Sequence, residues 1–211
     1  MMYTLYFAPG AASLVVHWLL IDLDLPHELV KLDIGARQHK TPEYLALNPS
    51  GVVPTLLIDG KPMCEAAAMA MLLADAKPDA GLAPAVGSAK RGAYYQWMFH
   101  LANSLQPPFR LWWYPAEAAG EDNAEAGKAA AEARIHAVFA NLDTHLQKSG
   151  PYLLGEDVSA ADFMLVMLMR WSRNMPKTAL DYPHLARLAD LLRARPSWKA
   201  LYASEGLEEW A

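Results

Sequence analysis

Between Asn48 and Ala66 the chain sets out, in order, the groups needed to hold a short peptide by its backbone and by a terminal carboxylate. Asn48, Pro49, Ser50 and Gly51 are turn formers that lead into Val53-Pro54, and Thr55 to Ile58 is an apolar run of strand type. Proline lacks the N–H that a sheet ladder needs, so Pro54 belongs at the mouth of its strand, and a turn there can hold the Val53–Pro54 bond cis. Such a bend leaves the N–H and C=O of Val53 facing outward, where an extended peptide can pair with them as an added strand. Asp59-Gly60 is a type I′ hairpin signal, Lys61 to Cys64 form the returning strand, and Glu65 opens an Ala- and Met-rich helix. The N-terminus of that helix, at Glu65 and Ala66, can receive a carboxylate. No metal-ligand spacing appears in the chain, and Gly10 lacks the companions of a dinucleotide or phosphate loop.

The elements that must carry these groups follow from periodicity. Tyr3 to Phe7 reads as a strand, Ala8 to Ala11 as a turn, and Ser13 stands at or just inside the start of a helix running to about Leu23. That helix is apolar nearly all round, which calls for burial on more than one side. His27 to Leu32 reads as a second strand, joined to the first by a right-handed parallel crossover. Thr41 caps a short helix with Pro42 at its first position, ending at Leu47. The first domain is therefore β-α-β-α-β-β-α over residues 1–77, followed by a Pro-, Gly- and Ala-rich linker over 78–88. Residues 89–211 show helical spacing throughout and form an all-α domain. Within it Pro107-Pro108 bends or ends a helix, and Pro196 starts the last one. Val158-Ser159-Ala160-Ala161-Asp162-Phe163 joins a capping box to a staple-like apolar pair ahead of a helix that is apolar on every face until Arg170.

Composition narrows the function classes. With 211 residues, 54% of them hydrophobic, the chain can bury one large core or two modest ones. A net charge of -5 argues against a general binder of nucleic acid or anionic membranes. One cysteine excludes an internal disulfide framework and fits a reducing compartment. The N-terminus has no basic n-region, and the apolar runs are too short to span a bilayer, so the expectation is a cytoplasmic protein.

Four stretches together resemble the cytosolic glutathione S-transferase family: Tyr6 to Ser13, Asn48 to Leu56, Glu65 at the third helix, and Ser159 to Asp162, all ahead of or within a helical second half. The run Ala8-Pro9-Gly10-Ala11-Ala12-Ser13-Leu14 is most similar to bacterial beta-class members. The resemblance implies a thioredoxin-like first domain that binds glutathione, a helical second domain, a homodimer, no metal, and conjugation of glutathione to small apolar electrophiles. The same fold also implies other glutathione-dependent reactions as alternatives (isomerisation, dehalogenation, ether cleavage) or a non-catalytic binding protein. The chain departs from the beta pattern at Ala12, where cysteine is common, at Ala66, where serine usually follows the acid, and at Gln106-Pro107, near where a His-Lys pair is usual.

Conjugation needs the thiolate, and each pKa unit removed from the thiol takes about 1.4 kcal/mol of preferential stabilisation. On the resemblance Ser13, beside a helix N-terminus, is the expected donor to sulfur, the alternative being a plain helix cap. Tyr6 is the second candidate, unless it is a packed strand aromatic. Val53 and Pro54 would clamp the peptide backbone. Glu65 and the Ala66 N–H would hold the γ-glutamyl end, and His39 and Lys40 the glycyl carboxylate. Gly10, Phe109, Trp112, Trp113 and Trp171 are candidates for the electrophile pocket, with core packing the alternative for the aromatics. His17 is expected to be a satisfied buried histidine, and Cys64 a small buried hydrophobe.

Overall fold

A computed structural model describes residues 1–210. Their contacts divide into two units, one of Met1–Ala83 together with the chain from Arg193 onward, the other of Pro84–Leu192.

The first unit is built on a four-stranded sheet in the order β2-β1-β3-β4. Strand β1 (Tyr3–Phe7) runs parallel to β2 (His27–Lys31) and antiparallel to β3 (Thr55–Ile58), which pairs with β4 (Lys61–Met63). Asp59 and Gly60 both have positive φ, as a two-residue type I′ turn requires. Helices α1 (Ser13–Asp22) and α3 (Ala66–Ala76) pack together on one face, and α2 (Pro42–Leu47) lies on the other. Strand parity explains this. Tyr3, Leu5 and Phe7 are buried, with Phe7 against His17 of α1, whereas Tyr6 points the opposite way, its ring 5.7 Å from that of Tyr44 in α2. Thr41 caps α2 through its side chain with Pro42 at the first position, as its sequence predicts.

The last helix, α10 (Pro196–Glu205), is expected from chain order to sit in the helical domain over 89–211. In the structure it packs on α1 of the first unit. The Trp18 and Trp198 rings stand 4.7 Å apart, and the Trp18 indole N–H donates to Ser197 Oγ at 3.0 Å. Arg195 grips the Asp22 carboxylate with two bonds, at 2.8 and 2.7 Å, and Ser197 Oγ donates to the same carboxylate. This contact also explains why α1 is apolar nearly all round: β1, α3 and α10 all pack against it.

The second unit is helical. Helix α4 (Arg91–His100) passes through a π-helical turn at Leu101–Leu105 into α5 (Gln106–Trp113). The wider turn absorbs the two N–H groups that Pro107 and Pro108 cannot supply, so the proline pair opens a new helix. A short α6 (Pro115–Ala119), the long α7 (Ala124–Ser149), α8 (Ala160–Arg170) and α9 (Pro183–Arg193) follow. Every residue of α8 is buried. Its start is held by Asp162, whose carboxylate accepts from the Ser159 N–H and hydroxyl at 2.8 and 3.0 Å and from the Leu153 N–H at 2.8 Å. Among the described residues no helix is long and apolar enough to cross a membrane.

Candidate functional site

The register of the sheet gathers the candidate residues at one end of the first unit. Tyr6 faces Thr55 across the β1–β3 ladder, Leu56 faces Met63, and Phe7 faces Lys31. The turn after β1 (residues 8–12), the segment after β2 (32–40), Val53-Pro54 ahead of β3 and Cys64–Ala66 after β4 therefore share one edge. Three of these carry main-chain groups with no acceptor or donor among the described residues.

The first is Val53. The Val53–Pro54 bond is cis, and neither the N–H nor the C=O of Val53 has a partner among the described residues. The loop around it is braced from behind. Tyr44 Oη donates to the Val52 carbonyl at 2.7 Å and sits 2.8 Å from Thr55 Oγ1, while Asn48 Nδ2 reaches the same carbonyl at 2.8 Å. The Asn48 side-chain oxygen accepts the Ser50 N–H at 3.1 Å. Asn48 and Tyr44 are both buried, and burial pushes the Tyr44 phenol up from its ordinary pKa, so it stays a protonated donor. These two braces are absent from the sequence reading; the Asn-Pro-Ser-Gly turn is the one local signal for Asn48. Gly51 is required here because its φ is +58° and a Cβ would meet Leu45 and Lys40 at 2.9 Å.

The second is the start of α3. Glu65 precedes it at φ +74°, a conformation that costs a non-glycine residue of order 1–3 kcal/mol. Its side chain is exposed, and the N–H groups of Ala66 and Ala67 have no acceptor among the described residues. A carboxylate placed there meets two N–H groups and the positive end of the helix dipole. Cys64 is half-buried beside it, and burial together with the Glu65 charge pushes its thiol up, which disfavours a nucleophilic role.

The third is the start of α1. Here Ser13, the expected thiol donor, lies just inside the helix. Its side chain is fully buried, its hydroxyl donates to the Ala8 carbonyl at 3.0 Å, and it accepts the Ala8 N–H at 3.3 Å. Ser13 is not the cap, which falls on Ala12; it closes the turn behind it. The N–H groups of Ala12 and Ser13 have no acceptor among the described residues. Tyr6, the second candidate, packs on Tyr44, on the sheet face away from α1. An open cleft of about 580 Å³ adjoins this turn, with Pro9, Leu32, Ile34 and Lys31 in its lining.

Lys40 and the Val53 loop are brought together, with the ammonium 3.4 Å from the Ser50 carbonyl. His39 is half-buried in the same turn, and its carbonyl lies 3.0 Å from where a Cβ on Gly51 would sit. Gly10, expected at the electrophile pocket, donates its N–H to Glu205 of α10 at 2.7 Å. The other oxygen of that carboxylate is 2.8 Å from His17 Nδ1, which makes His17 the satisfied buried histidine expected. No local motif marks Glu205 for this role, although it extends the buried stripe Trp198, Leu201 and Tyr202 by one more helical turn.

The aromatics of the second unit divide into two kinds. Phe109 is fully buried against Phe139, and Trp112 is buried with its indole N–H on Glu132 at 3.1 Å, so both are core. Trp113 and Trp171 are partly exposed and adjacent, the Trp113 N–H donating to the Trp171 carbonyl at 3.2 Å with Arg173 over the Trp113 ring. Among the described residues no cluster of three metal-ligating side chains is found.

Known proteins resemble this chain over most of its length. Residues 11–76 match the glutathione S-transferase N-terminal domain and residues 105–205 its C-terminal domain. A glutathione S-transferase of Xanthomonas campestris is 31% identical over 87% of this chain and 88% of its own length. One from Escherichia coli O157:H7 is 28% identical, over 97% of this chain and 99% of its own. A beta-class enzyme of Sphingomonas chungbukensis superposes with a TM-score of 0.85 at 29% identity, over 97% of this chain and 100% of its own. A Sulfitobacter homologue with bound glutathione does so at 0.89 and 28%, over 98% and 99%. The chain belongs to the glutathione S-transferase family.

Proposed function

We propose that this chain binds glutathione across the end of its first unit and transfers the thiolate to small apolar electrophiles. The observation that carries the reading is the meeting, at one end of the sheet, of the Val53 backbone with two helix starts, all with main-chain groups that lack partners among the described residues. The Val53 N–H and C=O pair with the peptide as a short added strand. The Ala66 and Ala67 N–H groups take the γ-glutamyl carboxylate, with Glu65 accepting from the ammonium. Lys40, with His39, meets the glycyl carboxylate. The sulfur then lies at the start of α1, where the Ala12 and Ser13 N–H groups and the helix dipole favour the anion. Main-chain donors tolerate the loss of cysteine at position 12 and of serine at 66, because neither role uses a side chain there. Trp113 and Trp171 are the candidates for the electrophile's aromatic contacts. A cytoplasmic location and a homodimer belong to the same proposal.

Calorimetry with glutathione, followed by ultraviolet titration of the bound thiol, tests this. Binding at sub-millimolar glutathione and a thiol pKa below that of the free peptide are expected. No heat at millimolar glutathione refutes the reading. Ser13→Ala separates a hydroxyl donor from a main-chain one. Losing two buried hydrogen bonds to Ala8 is expected to cost roughly 1–3 kcal/mol in urea unfolding. An unchanged stability with a raised thiol pKa would return the donor role to the hydroxyl.

A further inference from the structure

We propose that Glu205, on the last helix, is a positioning residue for the thiol-binding turn; this rests on the function proposed above. Its side chain is fully shielded from water. A carboxylate in that situation is costly unless each oxygen has a donor, and here each has one: His17 Nδ1 at 2.8 Å and the Gly10 N–H at 2.7 Å. Docking α10 on α1 does not require either bond. The Trp18–Trp198 contact, the Trp18–Ser197 bond and the two-bonded Arg195–Asp22 pair already fix the two helices to each other. What the Glu205 carboxylate adds is a grip on main chain, at a glycine with φ +68° in the turn between β1 and α1.

That turn is thereby pinned at two points. Ser13 folds back onto both polar groups of Ala8, and Glu205 holds Gly10. Two and three residues after Gly10 come the N–H groups of Ala12 and Ser13, which have no acceptor among the described residues. A charge-assisted bond to Gly10 fixes the direction of these donors before the ligand arrives, so that no reorganisation is needed when the thiolate forms. His17, one helical turn into α1, holds the carboxylate's other oxygen and so ties Glu205 to the helix that the turn opens.

The test compares wild type with Glu205→Gln, Glu205→Ala and Glu205→Asp at a temperature where circular dichroism finds each folded. Glutamine keeps the length and an acceptor for the Gly10 N–H, alanine removes both, and aspartate is one methylene too short to reach Gly10 and His17 together. Glutathione Kd from calorimetry is expected to stay within about threefold in all, since the Val53 and Glu65 contacts are untouched. The bound thiol pKa is expected to rise by about one unit in the alanine and aspartate variants, with roughly tenfold less thiolate at neutral pH and a matching fall in kcat. Glutamine is expected to restore both to near wild type. Aspartate serves where alanine does not fold. A thiol pKa and kcat unchanged in a folded alanine or aspartate variant overturn the inference and leave the proposed function standing. A lowered thiol pKa does the same, since it would make Glu205 a repelling charge instead of a positioning one. Wild-type protein that binds no glutathione instead removes the proposed function, and the inference with it.

Discussion

Replacing Asp162 by asparagine keeps the shape of a buried side chain and removes its ability to titrate. The three donors on this carboxylate, from Leu153 and Ser159, favour its ionised form, but burial outweighs them and pushes the pKa from 3.8 up to about 6. The folded-state pKa therefore lies above the unfolded one, so the folded protein binds this proton more tightly. The resulting stabilisation is fully present below about pH 4 and is lost as the pH rises through about 6, the reverse of the usual carboxylate. A rise of roughly two units corresponds to about 3 kcal/mol. Urea unfolding of wild type and Asp162→Asn, followed by far-ultraviolet circular dichroism at fixed ionic strength, gives the difference in unfolding free energy at each pH. That difference should move against the wild type by about 2.5 kcal/mol between about pH 4 and pH 7. Other titrating groups cancel in it. A difference that stays flat, or that moves in favour of the wild type with rising pH, would mean that the hydrogen bonds outweigh burial, and the reasoning fails.

Other perturbations read the binding edge and the last helix. Asn48→Ala removes one of the two donors on the Val52 carbonyl and should weaken glutathione binding about tenfold by calorimetry, on the scale of one lost hydrogen bond. Glu65→Gly relieves the positive φ and should raise stability in urea by about 1 kcal/mol while lowering glutathione affinity, because the partner of the ammonium is gone. Trp198→Ala empties the contact with Trp18 and should cost about 3–5 kcal/mol in urea unfolding, with the first unit's signals lost earliest.

Much of this fold is written in local signals. Pro54, Asp59-Gly60, Thr41-Pro42 and Ser159 with Asp162 each constrain φ or supply a cap within a few residues, and each does so in the structure. The peptide-holding edge was legible for the same reason, since it is main chain positioned by a turn. Side-chain direction was not. That Ser13 begins α1 follows from its neighbours, but whether its hydroxyl turns outward or back to Ala8 depends on the closure of a five-residue turn. Strand parity puts Tyr6 on the face opposite Phe7, yet only α2 folding over the sheet supplies Tyr44 as its neighbour. The stripe of Trp198, Leu201, Tyr202 and Glu205 announces a buried face without saying against what, and its partners lie more than 170 positions back along the chain.

The capture of α10 by the first unit makes that unit discontinuous in the chain. A nascent polypeptide that has emerged only as far as Ala83 holds the residues of all four strands of the sheet, but Trp18, Asp22 and His17 still await Trp198, Arg195 and Glu205. Synthesis must run through the whole helical unit before the first core closes. The order of folding on the ribosome is thus not the order of the units in the sequence: the helical unit, though later, is the first whose own residues are all present.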